Sequence, residues 1–276
     1  MLEVRRTRFD WTQTPLAWIP GDPHSAKVID VLHLLLPKGE RWFCRVLHDA
    51  LPHVRDAALR EDIEGFLRQE AWHARAHDLV GDHLADHGVE IESYTKYLDS
   101  LFDVILADRN WGRWWLGFRL SLVGGLEHYT ANLGHWALNA GALDAAGADP
   151  VMLDLLRWHS AEEVEHRAVT HDTAQALGVS YPTRVLAFAF VVPVFWYAWG
   201  KGAGYLARRD PASPPANWRD FFRGGREGKL PTLGYLARAT LRYFSPRYHP
   251  RREGDLAQAQ AYLAVSPAAR AARVAA

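Results

Sequence analysis

The 276-residue chain contains one cysteine, Cys44, and two methionines. A single thiol excludes an intramolecular disulfide and any cysteine-rich zinc or iron–sulfur site. It fits a reducing compartment. An excess of one charge is also missing: 32 Lys and Arg balance 32 Asp and Glu. No global field therefore draws nucleic acid, and RRDPASPPANWRDFFRGGREGK (208–229) is the one local candidate for a basic patch. The amino-terminal MLEVRRTRFDWTQTP lacks a long apolar segment, so no secretory signal is expected, and a cytoplasmic location is. No glycine-rich flavin or nicotinamide fingerprint occurs, which leaves the electron donor of any redox chemistry unidentified. Long apolar runs are scarce. The one candidate, VLAFAFVVPVFWYAW (Val185–Trp199), has 15 residues and contains Pro193, whereas a spanning helix needs about 20. A buried or homodimer-packed helix is expected there, ahead of contact with a membrane surface and of true spanning.

What the chain does have is apolar, aromatic and helical. Hydrophobic residues make up 49% and there are twelve tryptophans, enough for a large buried core. Strand-like alternation is scarce. A first helix is expected through SAKVIDVLHLLLPKGERWFCRVLHDALP, interrupted near Pro37–Gly39 and resuming at Glu40. A second runs from about Asp56 to Gly88, a natural left-handed stop. Tyr94–Leu143 holds one or two helices, with Gly124-Gly125 as a kink. Asp149-Pro150 opens the fourth by N-cap and N1 proline, and this helix is expected to reach Gly178. Residues 1–180 thus form a four-helix bundle. Residues 181–276 supply the apolar helix, a Pro/Gly/Arg-rich loop over Arg208–Gly228, a helix in LPTLGYLARATLRYF and a frayed tail.

The chemistry sits on the four long helices. The first carries Glu40, the second Glu70 and His73, the third Glu127, the fourth His159, Glu163 and His166. At about 100° per residue, His159, Glu163 and His166 fall within an arc of roughly 60°. The order is Glu; Glu-x-x-His; Glu; Glu-x-x-His, the donor arrangement of ferritin-like di-iron and di-manganese bundles. Residues three apart are neighbours on a helix surface, so each Glu-x-x-His can offer a carboxylate and an imidazole to one site. Glu127 follows WWLGFRLSLVGGL, and a glutamate in such surroundings costs several kcal/mol to bury as an ion unless paired or metal-bound. The competing reading sets Glu127 on a polar rim and pairs Glu70 with Arg68 or Arg75. Glu163 is preferred to Glu162 because it repeats the Glu70–His73 spacing. Glu162 is placed at the edge of the face, and Glu165 in solvent. His77 reads as a hydrogen-bonding core histidine before an extra ligand, and Cys44 as a small buried side chain. The remaining histidines, His33 among them, show no repeated ligand spacing. Trp42, Trp72, Trp111, Trp114, Trp115 and Trp158 are candidates for an apolar channel, with ordinary packing the plainer expectation.

In LPKGERWF, QEAWH, LEHYT and WHSAEEVEHR the chain resembles the ferritin-like family described as predicted metal-dependent hydrolases, over roughly residues 10–250 and most sharply between Glu40 and His166. The His-x-x-x-Glu-x-x-His of the last motif is also similar to the metal helix of di-iron N-oxygenases of the p-aminobenzoate type, where a third histidine joins six ligands. Carried over, these resemblances imply an all-α, ferritin-like fold with additional C-terminal helices. They imply a site of Glu40, Glu70, His73, Glu127, His159, Glu163 and His166 holding two iron ions, with manganese or a mixed pair as variants. The expected function is O2-dependent oxidation of a small organic substrate. A two-metal hydrolase is the alternative, followed by a non-catalytic metal-binding bundle.

Overall fold

The computed structural model describes residues 2–109, 111–210 and 217–274. Among these all regular structure is helical: α1 (Pro23–Ala50), α2 (Ala57–Asp86), α3 (Glu92–Asp99), a wider π turn at Ser100–Ile105, α4 (Gly112–Leu138), α5 (Gly141–Ala145), α6 (Pro150–His166), α7 (Val169–Ala176), α8 (Tyr181–Arg209), α9 (Trp218–Arg226), α10 (Leu233–Tyr243), α11 (Leu256–Val265) and α12 (Pro267–Val274). The chain is all-α.

Caps set the frame. Asp22, Asp56 and Asp149 each accept from backbone N–H groups in the first turn of α1, α2 and α6, and Pro23 and Pro150 occupy first-turn positions. These side chains satisfy donors that a helix start leaves unpaired. Gly88, at φ +82°, closes α2. The N–H of Val89 reaches back to the Leu84 carbonyl (3.0 Å), as a left-handed helix stop requires. Contacts His33–His77, Cys44–Leu67 and Leu51–Arg60 converge on the short connection between α1 and α2, so the two run antiparallel. α1 packs on α2 and α4, and α6 packs on α4 and α2. Four helices thereby surround one interior.

Several expectations are corrected. α1 runs through Pro37 without a break. Proline there removes the donor to the His33 carbonyl, at about 3 kcal/mol in a helix interior, yet Leu34, Leu35, Trp42 and Phe43 on both sides are buried, and packing holds the helix. Gly124-Gly125 makes no break in α4. A Cβ on Gly125 would lie 2.9 Å from Phe188, so this glycine lets α8 lie close. The fourth helix stops at His166, not Gly178. Arg167 turns its guanidinium onto the carbonyls of Val164 and Pro250, satisfying acceptors that the helix end leaves open. Part of the expected loop over Arg208–Gly228 is α9, opened by the Asn217 side chain on the N–H of Arg219. Residues 211–216 of it lie outside the described residues. Around α9, Arg223 pairs with Asp220 and Lys229 with Glu227 and Asp22, so part of the basic stretch is neutralised locally.

The tail expected to fray from Ala264 is instead ordered in α11 and α12 as far as Val274, and residues 275 and 276 lie outside the described residues. The buried Asp154 carboxylate accepts from Tyr262 Oη (2.9 Å), Ser266 Oγ (2.7 Å) and the Ala268 N–H (2.9 Å), pinning α11 and α12 to α6. The apolar run lies within α8, 29 residues long, which packs on α1 and α4. Its inner residues, including Phe188 and Val191, are buried, while Leu186, Phe190 and Tyr197 are exposed. By length and composition α8 is long and apolar enough to cross a membrane, with 39% of its most apolar window buried in the fold.

Replacing Asp154 by alanine should cost about 2 kcal/mol, the scale of hydrogen bonds to a charged group. It should also expose the chain near Ser266 to limited proteolysis. Unchanged thermal stability and cleavage would show that the carboxylate does not anchor the tail.

Candidate metal centre

The four packed helices bring all seven expected donor residues into one interior cluster. Glu40 comes from α1, Glu70 and His73 from α2, Glu127 from α4, and His159, Glu163 and His166 from α6. None exceeds 5% exposure. Glu163 Oε1 lies 2.9 Å from His159 Nε2, 3.5 Å from His73 Nδ1 and 3.6 Å from His166 Nε2. Glu40 Oε1 approaches His159 Nε2 at 3.8 Å, and Glu70 Oε1 approaches His166 Nε2 at 2.9 Å and His73 Nδ1 at 3.4 Å. Glu127 Oε2 is 3.2 Å from His166 Nδ1. Two sets of four, Glu40–His73–His159–Glu163 and Glu70–His73–Glu163–His166, each have donor atoms within 4.8 Å of one another and could hold a metal ion. The sets share His73 and Glu163. Glu127 belongs to neither and adjoins the second through His166. The rim position for Glu127 and the Arg68 or Arg75 pairing for Glu70 are both excluded. Arg68 approaches Glu64, and Arg75 lies over Trp72.

The cluster is short of protein partners. Both carboxylate oxygens of Glu40, Glu70 and Glu127, Nδ1 of His73 and both ring nitrogens of His166 are buried without a hydrogen bond. Close approach without hydrogen-bond geometry means that these lone pairs converge on shared space. Buried polar groups are ordinarily satisfied, so the donor set fits divalent cations of the oxygen- and nitrogen-preferring kind.

The titration behaviour agrees. Burial, with the charge of Glu70 added, pushes Glu40 well above the ordinary carboxylate range. Burial and Glu163 push Glu127 up to about 8. Burial also opposes ionisation of Glu163, but His166 and His159 outweigh it and hold that group well below its usual value. Glu70 is lowered too, against burial and Glu163, by the imidazoles of His166 and His73. Burial alone would lower His73 and His166, yet both are raised well above the ordinary imidazole value. Glu162 leads the opposing effect at His73 and Glu163 at His166. Without metal, the cluster thus leans on protons: the neutral form is favoured at Glu40 and Glu127, the anion at Glu70 and Glu163, and the imidazolium at His73 and His166.

A surrounding set of side chains fixes the donors. Glu162 Oε2 lies 2.8 Å from His73 Nε2, and Arg5 Nη1 donates to Glu162 Oε1 at 2.8 Å. The carboxylate therefore holds the ring with Nδ1 toward the cluster. Glu165 is not solvated as expected; it accepts from Arg5 at 2.8 Å and helps anchor it. Thr130 donates to Glu163. His77 is a hydrogen-bonding core residue, with Nε2 2.6 Å from His159 Nδ1 and Nδ1 2.7 Å from His33 Nδ1. Arg5, His33 and Thr130 are supporting residues that the sequence reading missed. His33 precedes Glu40 by seven residues, as Glu70 precedes His77 by seven, and that echo was the available signal. Arg5 had none. Trp158 and Phe66 pack edge-on against His73 and His166. The expected tryptophan channel is corrected in part: Trp111 and Trp114, near the start of α4, are 59% and 57% exposed and lie at the surface.

The model of the family described as "Predicted metal-dependent hydrolase" matches residues 3–254, and the chain belongs to that family. No curated protein and no solved structure matches the chain.

Two outcomes are expected. Between pH 7.5 and 8.5 the unfolded chain has lost the protons of Glu40, Glu127, His73 and His166, whose folded values are all raised. The folded state then binds protons that the unfolded chain has lost, so stability falls as pH rises. Glu70 and Glu163 are ionised in both states there, and the lowered imidazoles of His33, His77 and His159 are neutral in the folded protein and nearly so in the unfolded chain. Scanning calorimetry of metal-free protein should therefore show a falling Tm across that window; a flat or rising Tm contradicts this charge assignment. Glu162→Gln, which loosens His73, should weaken metal affinity by roughly 10–100-fold, the usual effect of disturbing a ligand's support. Wild-type affinity in that variant would remove Glu162 from the centre.

Proposed function

We propose that the cluster holds two metal ions and that the protein is a dinuclear metal-dependent enzyme. The observation that carries this is the pair of four-donor groups joined through Glu163 and His73, with most of their donor atoms buried and unpartnered. Glu40 and His159 would serve one ion and Glu70 and His166 the other, with Glu163 and His73 within reach of both and Glu127 adjoining the second through His166. The ferritin-like reading of the bundle belongs to this proposal.

Such an ion pair supplies Lewis acidity toward water or, if iron, electrons for O2. The chain's own residues supply position. Glu162 and Arg5 fix the His73 ring. With His159 Nε2 toward the carboxylates, its Nδ1 carries the proton and donates to His77 Nε2; His77 Nδ1 in turn donates to His33 Nδ1. Trp158 and Phe66 exclude water from the imidazoles.

We infer O2-dependent oxidation as the reaction class, because the donors are enclosed and the cavity beside His159 has a mostly aliphatic wall. Hydrolysis is the second reading, and the family's description supports it directly. The test is metal analysis of purified protein, followed by oxygen-uptake and ester- and phosphoester-cleavage assays on the iron-, manganese- and zinc-loaded forms. About two ions per chain are expected, with oxygen uptake in the iron form that Glu163→Ala abolishes along with metal content. Hydrolytic turnover without oxygen uptake would replace the first reading by the second. Absence of bound metal in every form would end both.

A further inference from the structure

Six of the seven donor residues are 0–2% exposed, and His159 is 5%. The small opening at His159 is explained by a cavity of about 60 Å³ between α1, α4 and α6, whose wall includes His159 and His77. Its other walls are mostly aliphatic, among them Leu32, Leu36, Leu133 and Leu156. Leu32, Leu36 and Leu156 are partly exposed, so the cavity reaches the surface there. The polar groups on the wall are largely engaged elsewhere: both His77 nitrogens by His159 and His33, and the Thr130 hydroxyl by Glu163 and the Glu127 carbonyl. Water inside would find few partners, and apolar hollows of this kind take apolar ligands. A water needs about 10–15 Å³ of such volume, so the space holds the equivalent of roughly four to six waters, or a chain of a few methylenes. The larger cleft on the molecule, about 600 Å³ and lined by Cys44, Arg45 and Arg119, has none of the seven donors in its wall. Contact with the donors, rather than size, distinguishes the two.

We propose that the cavity is the substrate site and that it binds a short alkyl chain, placing it beside the His159 edge of the metal centre. This rests on the dinuclear reading for its chemistry, but not for the binding itself.

The probe is 1-hexanol, titrated into the purified full-length protein and followed by tryptophan fluorescence, since Trp136 and Trp199 line the cavity. Metal content is counted on the same samples. Saturable binding is expected in the wild type. Leu133→Phe, which fills the cavity, should weaken it at least tenfold. Leu133→Ala, which lengthens the cavity, should shift preference from 1-hexanol toward 1-octanol by about tenfold, and this ratio decides the matter even if the phenylalanine variant fails to fold. No saturable binding, or equal affinities and an unchanged chain-length preference in the variants, overturns the proposal. Two metal ions without hexanol binding would remove the cavity assignment alone, whereas hexanol binding without metal would remove the dinuclear reading alone.

Discussion

Four carboxylates share one interior in this protein, and the surrounding structure has to answer for them. Glu40, Glu70, Glu127 and Glu163 are at most 2% exposed, and an isolated buried carboxylate is too costly to remain charged. Three imidazoles from two helices meet them, and they offset only part of the charge. The remaining balance must come from protons or from metal cations. The opposite displacement of Glu40 and Glu127 on one side and Glu70 and Glu163 on the other is the protonic solution. It leaves donor atoms on five residues, Glu40, Glu70, His73, Glu127 and His166, buried without a hydrogen bond; cations among them would take up those lone pairs, which is why the metallic solution fits the same geometry better.

That constraint makes sense of features that otherwise look unrelated. Arg5 lies far from α6 in sequence but is drawn beneath it, because Glu162 must be anchored to hold His73. α1 tolerates Pro37 because Glu40 and His33, on either side of it, are both committed to the interior. Gly125 brings α8 against α4, and Gly202 would place a Cβ 2.6 Å from Val31, so α8 seals α1 equally closely. A wall that close keeps the carboxylates away from bulk water, and dryness strengthens each charge interaction in the cluster.

The donor residues were legible because helix geometry is local. A three-residue spacing fixes which side chains share a face, and Asp149-Pro150 and Gly88 fix where the faces begin and end. The break after His166 and the helix α12 were not legible, because they depend on partners distant in the chain: Pro250 for Arg167, Asp154 for Ser266 and Ala268. The same holds for the array His159–His77–His33. Each imidazole sits in an ordinary helical sequence, and only the antiparallel pairing of α1 and α2 with α6 beside them lines the rings up. Interactions set by periodicity could be read in advance; those set by packing could not.

Enclosure bears on the choice between the two reactions. A hydrolase must admit water and a polar substrate and release a polar product, even where its metal site is itself dry. Here the donors sit among Trp158, Phe66 and the aliphatic wall beside His159, with supporting groups already hydrogen-bonded to one another. Dioxygen is small and apolar and enters such an interior without a desolvation cost, whereas an ester or phosphate surrenders hydrogen bonds to water that this wall does not replace. The family's description names the chemistry of water; the aliphatic wall beside His159 is the feature on which the proposed oxidation rests against it.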